Sequence, residues 1–593
     1  MQITPISRSL ALAALCLAAL VFPAPAEEAP GRPNIVILLA DDVAFMDLGI
    51  YGGEARTPNI DALARRGALF TGYRTSPLCA PSRAMLLTGI DSHLTGVATI
   101  PEVLTEEQKG QPGYTMALEP GIATLAARLK AAGYRTLMTG KWHLGSRAED
   151  LPPAHGFDRS FALDASGADN WEDKSYMPYY ADAPWFEDGR PARLPKDFYS
   201  SDFVVDRMLD YLGATPAEAP FFAYLSFLAV HIPVQAPAHL TAGYAGTYDE
   251  GWHALREARW QRAQALGYIP EGAPLQSMPE RFRSWDAMPE DERAVYAARM
   301  QVNAAMLEAM DLAIGRFVEA LKASGEYDNT LFIMTSDNGP EPSRGDDDHR
   351  LAFWMRMNGY HIGIDGIGER GSWGFIGPEW AMAAASPFDL FKFHGSEGGI
   401  RVPMVLAGPG VPAGARVDSF SFVTDLAPTL LDLAGVPLAQ DGAKDITGRS
   451  LVPVLTGAAE HTYGPDEAVG IEVSGNAAIY LGRWKITRNQ LPNGDGTWRL
   501  HDLETDPGET RDLAADEPEV MARMLAAYDA YAARVGVIEV PPGYNSRAQI
   551  VRNTEARQLQ RLLPWLIAGG FGAILLIAGL IFALSRLMRR RRT

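Results

Sequence analysis

The chain has 593 residues, of which 47% are hydrophobic and 21% charged, a globular composition with enough material for a large core and a smaller accessory unit. A formal net charge of −19 argues against a nucleic-acid partner, since a surface this acidic repels phosphate, so any anionic substrate must be drawn in by a local basic pocket. Only Cys16 and Cys79 are present, which rules out a disulfide framework.

In chain order, the first feature is Arg8, an apolar run over residues 10–22 and the Ala24-Pro25-Ala26 site. This pattern predicts a secretory signal peptide at 1–26 and an exported protein. Cys16 lies within it, after Leu15, a poor lipoprotein site, which leaves Cys79 as the lone mature thiol. Four short apolar runs then end in chemically useful groups. Residues 34–40 end at Asp41-Asp42, 135–140 lead into Lys141-Trp142-His143, 221–228 lead to His231, and 331–336 end at Asp337-Asn338-Gly339. Continuous apolar runs of this length suit strands of a parallel sheet covered on both faces. Helical patterns fall between them at 60–66, 122–132 and 297–323. The alternation predicts an α/β fold with a large, mostly parallel sheet flanked by helices. Ligands in such sheets bind beyond the carboxyl ends of the strands, so the four polar clusters are expected to share one pocket.

Each cluster alone also has an ordinary reading: Asp-Asp and Asp-Asn-Gly as solvated turns, Lys141 and His143 as an exposed pair, His231 as a satisfied core histidine. Together they supply three carboxylates and an amide oxygen, a hard donor set suited to Ca²⁺ or Mg²⁺. Cys79 alone reads as a small buried hydrophobe. Its neighbours Ala80-Pro81-Ser82-Arg83 and the following Ala-Met-Leu-Leu run predict a helix starting at or just after it. That helix start favours anions, with Arg83 one turn on.

At Cys79-Ala80-Pro81-Ser82-Arg83 through Leu87-Thr88-Gly89 the chain resembles the type I sulfatases of the alkaline phosphatase superfamily. The resemblance runs over roughly residues 33–535. It takes in Asp41-Asp42, Gly140-Lys141-Trp142-His143, His231-x-Pro233, Asp337-Asn338-Gly339, Lys392 and Glu397-Gly398-Gly399. Segments around Tyr248–Trp252 and Gly377–Ala381 look like the bacterial arylsulfatase branch. Ala44 departs from the glycine usual there, without removing a ligand.

The resemblance implies an alkaline phosphatase-like fold and hydrolysis of sulfate esters. It implies that Cys79 is converted to Cα-formylglycine by a maturation enzyme, and that Asp41, Asp42, Asp337, Asn338 and the modified Cys79 hold a divalent cation, Ca²⁺ ahead of Mg²⁺. Arg83, Lys141 and Lys392 are then expected to stabilise the sulfuryl charge. One hydroxyl of the hydrated aldehyde attacks sulfur and the alcohol or phenol departs, protonated by His231 with Lys392. His143 removes the proton of the other hydroxyl and sulfate is expelled.

Three other readings are a phosphonate monoester or phosphodiester hydrolase sharing the nucleophile, an inactive membrane-tethered binding protein, and a cysteine hydrolase using Cys79 as a plain thiol. Substrate choice is expected to lie in residues 156–195 and 340–386. The predicted organisation is a catalytic domain at 31–460, then a C-terminal α+β subdomain at 461–540 with strands at 477–481, 484–488 and 498–502 and a helix at 517–535. A linker at 541–561, a transmembrane helix at 562–584 and a basic cytoplasmic tail at 585–593 follow. These predict a membrane partner at the exported face.

Overall fold

The structure, a computed structural model, describes residues 31–214, 219–438 and 444–590. The predicted signal peptide lies outside these residues. The four apolar runs form adjacent parallel strands in the order Thr330–Ser336, Asn34–Ala40, Phe221–Ser226, Arg135–Lys141. They are the centre of a mixed ten-stranded sheet. Arg159–Leu163 continues the parallel array on one side, and Met404–Ala407 pairs antiparallel to Thr330–Ser336 on the other. Alternation along Asn34–Ala40 explains the continuous apolar run: Val36 and Leu38 enter one core, and Ile35, Ile37 and Leu39 enter the other. Each such side chain contributes about 1.5–3 kcal/mol of burial. The 35-residue helix Glu290–Ser324 covers one of these faces, and the helices Cys79–Thr88 and Leu125–Ala131 cover the other.

Register delivers the site. Asn34 pairs with Thr330 and Ala40 with Ser336, so the next residues on the two strands, Asp41 and Asp337, emerge side by side. Gly140 has φ 101°, and a Cβ there would lie 1.8 Å from the Ser226 carbonyl oxygen. Glycine is therefore required where the strand turns Lys141 toward the pocket.

A second, antiparallel sheet follows, formed by Val469–Val473, Asn476–Leu481, Trp484–Arg488 and Trp498–Asp502, with the helix Pro518–Val535 packed on it. Its first strand was not among the sequence expectations; Gly470 and Glu472 interrupt its apolar pattern, and both are buried. This sheet is pinned to the rest of the protein by buried charge. Glu397 meets Arg74 at 2.8 Å and Lys485 at 2.9 Å, and Lys485 also meets Glu509 at 2.7 Å.

His93 forms a second pin, with Glu472 at 2.8 Å and Asp91 at 3.4 Å. Burial opposes its charge, but hydrogen bonds and attraction from the two carboxylates raise its pKa to about 9. A raised histidine stabilises the fold fully below its unfolded value near 6.5 and loses that contribution as pH rises through about 9. The melting temperature is therefore expected to fall between pH 6.5 and 9, with roughly 3 kcal/mol of stability lost. His93→Gln should flatten that window in calorimetric scans; an unchanged slope would refute the assignment.

The C-terminal expectation needs correction. Residues Ser546–Arg590 form one continuous 45-residue helix with Pro564 inside it, beginning within the segment read as a linker. Among the described residues no helix is long and apolar enough to cross a membrane, so the fold class loses its transmembrane helix. The first turns of the helix are polar and docked on the body of the protein. Asn553 donates to the Glu102 and Leu104 carbonyls at 2.9 Å, and Gln549 donates to Leu104 at 3.1 Å. The apolar stretch beyond continues the same helix.

Candidate active site

The predicted positions converge on one buried cluster at the carboxyl ends of the central strands. Cys79 is the first residue of the helix Cys79–Thr88, and its sulfur lies 3.7 Å from Asp41 Oδ1. Lys141 Nζ donates to Asp41 Oδ2 at 2.6 Å. Arg83, one turn into the helix, donates Nε and Nη2 to Asp337 Oδ2 at 2.9 and 2.7 Å, and Nη1 to Ser226 Oγ at 2.5 Å. Asn338 Nδ2 donates to Asp42 Oδ1 at 2.6 Å, and Lys392 Nζ lies 2.7 Å from the same oxygen. His231 Nε2 lies 3.8 Å from Asp42 Oδ2. Its Nδ1 sits 2.7 Å from the Ile232 carbonyl, which can only accept, so Nδ1 carries the proton and Nε2 is free.

Asp42 and His143 have φ of 68° and 59°. Aspartate and histidine tolerate this left-handed region better than most residues, and such strain gathers at functional sites. Ala44 has no positive φ, so alanine replaces the expected glycine without backbone strain, and its N–H caps on Asp47 at 2.8 Å.

Ligand atoms of Asp41, Asp42, Cys79 and Asp337 all lie within 4.8 Å of one another. Two buried oxygens beside them, Asp42 Oδ2 and Asn338 Oδ1, have no hydrogen-bond partner. Buried orphan oxygens cost free energy unless a ligand or cation satisfies them. Three carboxylates with an amide oxygen are hard donors that fit a divalent metal ion. Burial, reinforced by like charges, raises the pKa of Asp42 and of Asp337 against the pull of Lys392 and Arg83; a divalent cation reverses that balance.

The remaining electrostatics sort the groups. Burial opposes the Lys392 charge, but Asp42, Cys79 and Glu341 hold its pKa well above the usual lysine value. Burial, with Lys141 and other cations nearby, holds His143 well below the usual histidine value, and burial with Lys392 does the same for His231. Both imidazoles are therefore neutral near pH 7. Burial also drives the Cys79 thiol well above its ordinary value despite Lys141 and Lys392. A protonated thiol is a poor nucleophile, which weighs against a plain cysteine hydrolase.

Two neighbours of the cluster escaped sequence reasoning. Glu341 pairs with Lys392 at 2.9 Å, and Lys392 and His231 pull its pKa down to about 2 against burial. Its signal was its place four residues after Asp337, in the same loop. Tyr176 packs edge-on to His231, with centroids 5.3 Å apart, and no local pattern marks it. Cys79, His231 and Lys392 open into a cavity of about 940 Å³.

A large mixed sheet with an acidic cluster at its strand ends and a buried cysteine at a helix start is an alkaline phosphatase-like fold. A sulfatase family model matches residues 33–436, and a model described as N-sulphoglucosamine sulphohydrolase, C-terminal, matches residues 389–527. An uncharacterized sulfatase of Schizosaccharomyces pombe is 34% identical over 537 residues, 86% of this chain and 96% of that protein. An arylsulfatase of Klebsiella aerogenes is 35% identical over 434 residues, 72% of this chain and 90% of that one. The crystal structure of Ps i-CgsB matches the fold with a TM-score of 0.61 at 23% identity, over 90% of this chain and 98% of that one. The chain belongs to the sulfatase family. It is a sulfuric ester hydrolase, cleaving sulfate esters to an alcohol or phenol and sulfate.

Proposed function

We propose that the hydrolysis runs on Cys79 after its conversion to Cα-formylglycine by a maturation enzyme acting on the exported chain. The observation that carries this reading is the placement of Cys79 at a helix start, within 4.8 Å of three carboxylates and with three cationic side chains, Arg83, Lys141 and Lys392, on those carboxylates. Asp41, Asp42, Asp337 and Asn338 would hold a divalent cation, Ca²⁺ ahead of Mg²⁺ because three carboxylates and an amide form a protein cage of oxygens, whereas Mg²⁺ keeps several of its waters. Bound there, the cation supplies charge to polarise the sulfate oxygens and favours an ionised nucleophile.

The chain's own residues divide the rest. Arg83, Lys141 and Lys392, which hold the three carboxylates, would supply positive charge to the sulfuryl oxygens, where preorganised charge is worth most. One hydroxyl of the hydrated aldehyde forms the new S–O bond as the ester S–O bond breaks. Lys392, which carries its proton in the free protein, is the source of the proton for the departing oxygen, and the bare Nε2 of His231 can take that proton up and pass it on. Neutral His143 accepts the proton of the second hydroxyl, the C–O bond to the sulfo group breaks, and sulfate leaves as the aldehyde re-forms. Neither ring nitrogen of His143 has a protein partner, consistent with a base kept free for that step.

Dialysis against a chelator should abolish hydrolysis of an aryl sulfate, and Ca²⁺ should restore it better than Mg²⁺. Unchanged turnover in rigorously metal-depleted protein would remove the cation from the scheme. An aryl phosphonate monoester assayed alongside should be turned over more slowly than the aryl sulfate; the reverse order would favour the phosphonate hydrolase reading.

A further inference from the structure

The cavity that reaches Cys79 is far larger than a sulfate group, and one of its walls comes from outside the segments the family models match. Those matches end at residue 527, whereas the docked helix starting at Ser546 places Ile550, Val551 and Thr554 on the cavity. Facing it is the short helix His349–Met357, which contributes Phe353, Trp354 and Met357, with Met177 at the floor. Phe353 is 64% exposed and Met357 71%, a degree of exposure that large apolar side chains take up where a ligand is to cover them.

Several charged groups of this rim are held in ion pairs. Arg547 pairs with Asp347, Arg350 with Glu555, and Arg344 with Glu379. The buried Glu102 accepts from Tyr180 at 2.5 Å. The Arg350–Glu555 pair clasps the C-terminal helix to the helix opposite, the Arg547–Asp347 pair ties it to the residues just before that helix, and Asp348 caps the latter at Arg350 N. The clasp holds the two apolar faces apart across the entrance. Hydrogen bonds from Gln549 and Asn553, and the Arg557 guanidinium 4.5 Å above the Tyr179 ring, fix the C-terminal wall in place.

We infer that the C-terminal helix from Ser546, with the helix His349–Met357, forms a specificity vestibule for sulfate esters whose leaving group is a large, predominantly apolar alcohol, longer than a single aromatic ring. This rests on the proposed sulfate-binding centre at Cys79, because the vestibule opens onto that centre. The ester's charged end would sit among Arg83, Lys141 and Lys392, while its hydrocarbon replaces water along Phe353, Trp354, Ile550 and Val551. A sulfated sugar would gain nothing from the exposed apolar side chains of Phe353, Met357 and Val551 at the entrance.

The test uses the full chain and two probe series. Non-hydrolysable alkyl sulfonates from butyl to decyl, below their micelle concentrations, are titrated calorimetrically; the matching alkyl sulfates and phenyl sulfate are assayed for sulfate release. Affinity and kcat/KM are expected to rise with chain length by up to about fourfold per methylene, the factor that about 0.8 kcal/mol per buried CH₂ implies. Ile550→Asp and Phe353→Ser should each cut the decyl-over-butyl ratio at least tenfold while leaving phenyl sulfate turnover within about twofold, which also reports an intact fold. A flat chain-length dependence in the sulfonate titrations, or faster turnover of a monosaccharide sulfate than of decyl sulfate, overturns the inference. Chain-length-dependent sulfonate binding without phenyl sulfate turnover would instead count against the catalytic scheme and leave the vestibule standing.

Discussion

The Cys79→Ala variant is expected to lose on the order of 10⁵–10⁶ in kcat, the scale set by removing a covalent nucleophile. Its fold should persist, because Cys79 makes a single 3.7 Å contact with Asp41 through its sulfur, and alanine leaves only a small void at the helix start. The sharper measurement is on the wild-type protein. Trypsin cuts after Arg74 and Arg83, releasing a peptide of residues 75–83 whose mass separates thiol from aldehyde. Specific activity should scale with the aldehyde fraction. Full activity in protein carrying only the thiol would end the formylglycine assignment, and the raised thiol pKa makes that outcome chemically unfavourable as well.

Asp337→Ala is the second large effect. It removes one carboxylate of the cation cluster and the oxygen, Asp337 Oδ2, that accepts from both Nη2 and Nε of Arg83 at 2.7 and 2.9 Å. A loss of at least about 10³ in kcat/KM is expected, the scale of losing a preorganised electrostatic contact together with metal affinity. Breaking a buried ion pair costs about 3–5 kcal/mol. Here Asp41 remains 3.5 Å from Arg83 and offsets part of that, so the melting temperature should fall without collapse of the fold. Asp337→Asn separates the two contributions: it preserves the side-chain shape, and its metal content by mass spectrometry should still fall. Wild-type turnover in either variant would take Asp337 out of the site.

Both predictions bear on residues that local sequence made visible. Chemistry placed on the residue after a buried strand is a short-range signal: the apolar run marks the strand, and its end marks the pocket. Asp41, Asp42, Lys141, His143, His231, Asp337 and Asn338 were all legible in this way, as was the helix beginning at Cys79. Less was visible where the signal is not periodic. Glu341 has no element of its own and owes its role to Lys392, which the fold brings to 2.9 Å. The strand Val469–Val473 was hidden because Glu472 is buried by pairing with His93, 379 residues away in sequence, so a polar residue occupies a core position.

The apolar C-terminal stretch shows the opposite failure. Hydropathy alone read residues 562–584 as a membrane span, whereas the chain continues one helix whose first turns are docked by Gln549 and Asn553. Hydropathy reports composition and is blind to what the preceding turns are attached to. Likewise, residues 156–195 and 340–386 were expected to line the pocket, and Met177, Phe353 and Trp354 do. The wall at Ile550 and Val551 was not foreseen.

The amino-acid sequence by itself determined the sheet's central strands, the polar groups at their ends, the thiol at the helix start and the hard-oxygen donor set, because each depends on neighbours a few residues away. The tertiary structure alone decided which oxygen meets which cation, how Arg83 reaches Asp337 across 254 residues, and how a helix beyond the matched family segments comes to line the entrance. Those outcomes follow from strand register and from packing between distant segments, which no local pattern encodes.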